Sequence, residues 1–187
     1  QMTVLNNLAA LHMIRGNTAR AIANFQQILA PQQGQPAAPM TALATHLNLS
    51  VLYRTAGDLS QSGSSLAEAE KILDQLRKEQ FNPELLHEQQ LGWYINQSNL
   101  EMSFGRWEAA GKTSTAGVQA AEALVENHPG ELKYQVSLAL LDLNATAIWI
   151  KLGDPQQAST SALKAISILR RLRKKDPENL QYQIDLS

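Results

Sequence analysis

Asn48, Asn96 and Asn144 stand 48 residues apart, and so do Gly57, Gly105 and Gly153. Asn7 and Gly16 repeat the same asparagine-to-glycine spacing once more, set 41 residues ahead of Asn48 and Gly57. No other feature constrains the fold as strongly. A recurrence at this period implies stacked supersecondary units, none of which can bury its apolar face alone. The clearest copy is NATAIWIKLGDPQQA, from Asn144 to Ala158: the end of one helix, a glycine turn, and the capped start of a second helix. Two helices of about 20 residues, each about 30 Å long, account for the period together with their two turns. The expected fold is therefore all-α, built from antiparallel helix pairs.

Taken in order, the chain divides into repeat 1 (2–30), a proline-rich connector (31–40), repeat 2 (41–81), repeat 3 (82–128), repeat 4 (129–176) and the start of a fifth (177–187). In the first pair, Val4, Leu5, Leu8, Leu11 and His12 recur at helical spacing and Gly16 stops them. Asn17 is then placed to cap a helix whose apolar face is Ala21, Ile22, Phe25, Ile28 and Leu29. The connector APQQGQPAAPM, Ala30 to Met40, holds three prolines and a glycine and cannot continue that helix. Asp58 with Gln61, Asn82 before Pro83, and Asp154 with Pro155 and Gln157 are further N-terminal signals. Near the end, PENLQYQIDLS from Pro177 aligns with PGELKYQVSLA from Pro129 at the 48-residue offset. The pattern starts inside a helix at Gln1 and stops inside another at Ser187, as expected of a piece of a longer protein. The apolar residues Leu180, Tyr182, Ile184 and Leu186 of the incomplete fifth unit predict self-association through that end.

Composition narrows the function classes. With 16 basic and 17 acidic residues the net charge is -1, so no global field recruits nucleic acid or an anionic membrane. There is no cysteine, which excludes disulfides, thiolate metal sites and cysteine nucleophiles. The longest apolar run, Val136 to Leu152, carries Asp142 and Asn144 and falls short of the roughly 20 apolar residues a membrane span needs, so a buried helix is expected there. No basic stretch followed by a hydrophobic one opens the sequence, so no secretory signal is expected and the location expected is cytoplasmic.

These units resemble the tetratricopeptide repeat, in the long-helix variety of kinesin light chains and many bacterial signalling proteins. In LNNLAALHMIRGNTARAIANF the pattern falls on Leu5, Leu8, Ala9, Gly16, Ala21 and Phe25, with His12 where an aromatic is usual. Small residues occupy the two helix-contact positions as Ser50 with Ser62, Ser98 with Ala110, and Thr146 with Ala158, and aromatic positions fall on Tyr53, Trp107 and Trp149. The chain departs from the family in its period, against about 34 residues, and in its proline-rich insert. The resemblance implies a right-handed superhelical solenoid whose first helices line a concave groove for peptides or protein surfaces, with no catalysis. Carried over, the groove positions are Asn6, Asn7, Ala10, Met13 and Ile14; Leu47, Asn48, Val51 and Arg54; Ile95, Asn96, Asn99 and Met102; and Leu143, Asn144, Ala147, Ile150 and Lys151. Those expected to touch a partner are Asn7, Asn48, Arg54, Asn96, Asn99, Met102, Asn144, Ile150 and Lys151. A ladder of asparagines can match the N–H and C=O of an extended peptide, or it can bond the neighbouring repeat. With few basic residues in the groove, the expected ligand is a neutral or amphipathic protein segment.

Other constellations are weaker. His12, His46, His87 and His128 lie in different units without helical pair spacing, so no metal site is expected. Arg170, Arg171, Arg173, Lys174 and Lys175 form the only charge cluster, placed where cations complement a helix C-terminus; without interleaved aromatics they do not make a nucleic-acid site. Asn48-Leu49-Ser50, Asn96-Gln97-Ser98 and Asn144-Ala145-Thr146 fit the glycosylation triplet but fall mid-helix. No phosphate loop, nucleophile elbow or paired-carboxylate arrangement is present, so neither a catalytic residue nor a cofactor is expected. Two functions fit: a protein-interaction scaffold, or a structural, regulatory or sensor arm of a larger signalling protein whose kinase, protease or ATPase domain lies outside these residues.

Overall fold

The computed structural model describes residues 2–31 and 34–175, with side chains from residue 5 onward. The described residues form eight α-helices and no β-strand: α1 (Met2–Ile14), α2 (Thr18–Leu29), α3 (Pro39–Thr55), α4 (Leu59–Lys78), α5 (Pro83–Ser103), α6 (Trp107–Asn127), α7 (Leu132–Leu152) and α8 (Pro155–Lys175). The all-helical expectation is met. Pro177 to Ser187, and with them the fifth unit and its apolar residues, lie outside the described residues. No helix among the described residues is long and apolar enough to cross a membrane.

One turn is used four times. Gly153 has φ 77, a conformation that costs glycine little and other residues more, and Gly16, Gly57 and Gly105 match it. The residue after each glycine donates its N–H five residues back: Asn17 to His12 O, Asp58 to Tyr53 O, Arg106 to Glu101 O and Asp154 to Trp149 O, at 2.8 to 2.9 Å. Carbonyls left over at the end of the first helix of each pair are satisfied this way, and the chain reverses. The next helix starts at once. Asp58 and Asp154 accept from the N–H of Gln61 and Gln157 at 3.0 and 2.9 Å, and Asn82 accepts from Glu84 N–H at 3.0 Å. Asn17 occupies the equivalent position but makes no side-chain cap bond, and its expected capping role is not fulfilled; the turn closes through backbone bonds instead. Residues 39 and 40, assigned to the connector from sequence, belong to α3, because proline's fixed φ suits the first helical turn.

The chain divides into two compact units between Asn96 and Gln97, within α5. In the first unit a core of Ala9, Ala21, Phe25, Ile28, Leu49 and Leu52 joins α1, α2 and α3, with Leu5, Met13, Ile22, Leu29 and Tyr53 packed around it. Tyr53 also accepts a 2.9 Å hydrogen bond from Gln26 Nε2 of α2. Leu66, Ala69, Leu73 and Leu76 bury one face of α4, each leucine contributing about 2 kcal/mol by its removal from water. Ser50 and Ser62, both buried, let α3 and α4 approach until Ser62 Oγ donates to Ser50 O at 2.8 Å.

In the second unit the buried face of α6 is made of small residues: Ala110, Gly111, Ser114, Gly117 and Ala121. Helix α7 lies on it, bringing Ile148 and Leu152 to 3.6 Å from where a Cβ on Gly111 would stand and placing Leu141 O 3.3 Å from Ser114 Oγ, which donates to it. Helix α8 buries Ala158, Ser161, Ala165, Ile168, Leu169 and Leu172. Helix α7 differs from expectation, since only part of its surface is buried: Leu138, Leu141, Ala145 and Ile148 are inside, whereas Ala147 is exposed and Ile150 is 63% exposed.

Candidate partner-binding face

Two of the four ladder asparagines are tied down. Asn96 Nδ2 on α5 donates to Leu47 O at 3.1 Å and to Ser50 Oγ at 3.2 Å, both on α3, and Ser50 Oγ itself donates to Leu47 O at 2.7 Å. Asn144 Nδ2 on α7 donates to Ser98 Oγ on α5 at 3.1 Å. Each bond to a serine reaches back 46 residues, from one first helix to the hydroxyl of the preceding one. Asn48 has no such bond among the described residues, and the cause lies in the sequence: Ala9 occupies the place of Ser50 in the first pair and offers no acceptor. Asn7 is exposed on α1.

These bonds change what the ladder offers. The amide nitrogens of Asn96 and Asn144 are engaged within the fold, while their carboxamide oxygens accept no bond from the described residues. An incoming backbone N–H finds an acceptor on each; Asn96 makes two amide bonds within the fold, whereas Asn144 makes one and keeps a second N–H.

The remaining sequence-derived positions fall into the two units. In the first, Arg54 is half-buried near the end of α3. In the second, Asn99 and Met102 are half-buried on the last turns of α5, and Ile150 and Lys151 are exposed at the end of α7. Lys151 is partly engaged, its Nζ lying 5.7 Å from the centre of the Trp107 ring at the start of α6. Sequence reasoning missed Val136 and Leu140. With Leu143, Ala147 and Ile150 they form an apolar stripe along α7, half-buried at its beginning and open at its end. Their alternating steps of four and three residues are the signal the sequence carries, but apolar residues at the neighbouring positions of this helix conceal it.

The electrostatics concentrate on a different face. Asp142 is buried, at 2% exposure, on the side of α7 that meets α8, and its Oδ2 has no hydrogen-bond partner among the described residues. Burial pushes its pKa up to about 6; the nearby Lys164 ammonium, itself bonded to Glu122 Oε1 at 2.8 Å, opposes that rise, and the Glu122 carboxylate adds to it. In the first unit, burial lowers the pKa of His46, against the pull of Glu68. Glu68 is held below the usual carboxylate range, chiefly by its hydrogen bond from Lys71 at 2.6 Å. Among the described residues no three histidine, cysteine, aspartate or glutamate side chains gather as a metal site. No protein-family model matches this chain, and no curated protein matches it either.

Proposed function

We propose that this chain is a non-catalytic scaffold of the tetratricopeptide type, a right-handed superhelical array that holds a neutral or amphipathic protein segment against the open face of its first helices. The observation that supports the reading is the α7 stripe. A helix already packed on α6 and α8 keeps Val136, Leu140, Leu143, Ala147 and Ile150 on a further face, with Ile150 at 63% exposure. Helix–helix packing within the chain does not require that second apolar row, whereas docking of an apolar side chain does. Asn144 stands beside the row with its carboxamide oxygen available to a backbone N–H, and Lys151 ends it.

Selection of binding peptides from a displayed library, followed by calorimetric titration, tests the proposal. The double variant Ala147→Glu with Ile150→Glu is expected to lower the affinity of a selected peptide at least tenfold while leaving the melting temperature near that of the parent. Equal affinity for the parent and the variant would remove the α7 stripe from the function.

A further inference from the structure

Helix α7 carries its open apolar residues on a heptad. Val136, Leu140, Leu143, Ala147 and Ile150 follow one another at steps of four, three, four and three residues, an average of 3.5. At about 100° per residue they lie on the side of the helix away from Leu138, Leu141, Ala145 and Ile148, which are buried. The row runs for about 21 Å at about 1.5 Å per residue. Its charges are as one-sided as its apolar residues. Helix α7 bears three charged side chains: Asp142 is buried on the far face, whereas Lys133 and Lys151 are exposed, one near each end of the row. Their ammonium groups stand 5.2 Å from the ring centre of Tyr134 and 5.7 Å from that of Trp107, contacts that restrain them there. Ser137, Asn144 and Lys151 share one edge of the row at seven-residue steps, and all three offer hydrogen-bond donors.

We propose that the occupant of this face is an amphipathic α-helix with acidic residues flanking its apolar side, an inference that rests on the docking role of the stripe and names what docks there. Spacing favours a helix. An extended segment repeats its same-face side chains about every 7 Å, a helix about every 5 Å, and only the helix stays in step with the row. Backbone chemistry points the same way. An extended chain laid on the row would hold its N–H and C=O groups over apolar residues, beside an Asn144 that already bonds Ser98 and a Thr146 whose hydroxyl already donates to Asp142 O. A helix satisfies those groups internally. It would cross α7 at about 20°, its apolar side chains entering between those of α7, with Ala147 leaving room for a large one beside Ile150. Charge then sets the flanks. The two lysines select carboxylates, and Glu101 on the neighbouring α5 does not cancel them, because Gln97 at 2.8 Å and Arg106 at 3.5 Å already engage it. A second copy of α7 is a poor occupant on the same ground, since parallel or antiparallel it would set lysine against lysine.

Two displayed libraries, selected against the full chain, test the proposal with segments of about 20 residues, long enough to span the row as a helix. One is a helical scaffold with apolar residues at alternating steps of three and four and randomised flanks; the other is unconstrained. Helical binders enriched in glutamate or aspartate at the flanks are expected. A proline at the centre of the tightest binder should weaken it at least tenfold. Lys133→Glu with Lys151→Glu in the chain should do the same, with affinity regained when the binder's flanking acids become lysines, and helical circular dichroism checks that this variant stays folded. Binders that tolerate the proline overturn the helical occupant, yet leave the stripe as a docking face if Ala147→Glu with Ile150→Glu still releases them. Recovery of no stripe-dependent binder from either library removes the docking role and this inference with it. Indifference to the lysine reversal overturns the acidic flanks. Self-association in sedimentation that the Ala147→Glu, Ile150→Glu variant abolishes overturns the proposal in favour of a second copy.

Discussion

His46 in the first unit and Asp142 in the second occupy the same position in the repeat, 96 residues apart, and so do the charges that act on them, Glu68 and Lys164. The repeat conserves the geometry while the charges are exchanged: a weak base near a carboxylate in one unit, a carboxylic acid near an ammonium in the other. In both cases burial outweighs the neighbouring charge and favours the neutral form. A solvent-shielded site of this kind sets its own preference for neutrality, and the residue found there decides only the direction in which pH disturbs it. The two units should therefore respond to pH with opposite sign.

Asp142 carries the largest expected effect. Its folded pKa is raised from 3.8 to about 6, so the stability it lends is full below the lower value and is lost as pH rises through the upper. The loss is on the order of 3 kcal/mol. Asp142→Asn is expected to stabilise α7 and α8 by up to that amount at pH 8 and by little at pH 4, read by hydrogen exchange or urea unfolding. An equal gain at both values would mean that the carboxylate is not the source. Next come the asparagine bonds. Asn96→Ala should cost about 2 kcal/mol and Asn144→Ala about 1 kcal/mol, because Asn96 reaches two acceptors and Asn144 one, while Asn48→Ala should change stability by less than about 0.5 kcal/mol. Ala9→Ser sharpens the point by supplying Asn48 with the missing hydroxyl. A double-mutant cycle is expected to give a favourable coupling of about 0.5 to 1 kcal/mol, and zero coupling would refute the account of why the first pair lacks this bond.

His46 should act more weakly than Asp142, since its ring is only half-buried. Its pKa is lowered from 6.5, so the stability tied to its neutral form is present above that value and is lost as pH falls through the lowered one. Hydrogen exchange in α3 and α4 should accelerate on acidification, and His46→Gln should flatten the response. An unchanged pH profile in that variant would end the contrast between the units. A further, small pair of effects compares two helix glycines. A Cβ on Gly92 would meet only Leu47 Cδ1 at 3.7 Å, and one on Gly111 would meet Ile148 and Leu152 at 3.6 Å. These are ordinary contacts, so Gly92→Ala and Gly111→Ala should each raise stability by about 0.5 to 1 kcal/mol in thermal melts.

Much of this fold was legible because its signals are local. A glycine nine residues after an asparagine, and an aspartate ahead of a glutamine, report turn and cap chemistry that tertiary packing has no reason to override. The small pair Ser50 and Ser62 likewise announced the close approach that ends in a hydrogen bond between helices. What escaped depended on a neighbour. Nothing around Asp142 in the chain shows that the side facing α8 excludes water, and nothing around Asn48 shows that the residue 39 positions back, Ala9, stands where a serine would receive it until the two helices are laid side by side. Helix α7 misled differently. Its uniform apolarity hid two separate faces, because a hydrophobic pattern with no polar gap does not say which side meets protein and which side meets water.

In a chain of successive helix pairs, whether neighbouring pairs melt together or one after another is governed by the coupling between them. A single methyl-or-hydroxyl choice adjusts that coupling here. Where Ser50 receives Asn96, adjacent pairs are latched by a buried hydroxyl; where Ala9 stands in place of that serine, the first two pairs share an apolar core and the exposed Gln26–Tyr53 bond instead. The seam between the first two pairs is therefore the one at which partial unfolding should start, and one hydroxyl at residue 9 would make the first unit melt more nearly as a single step.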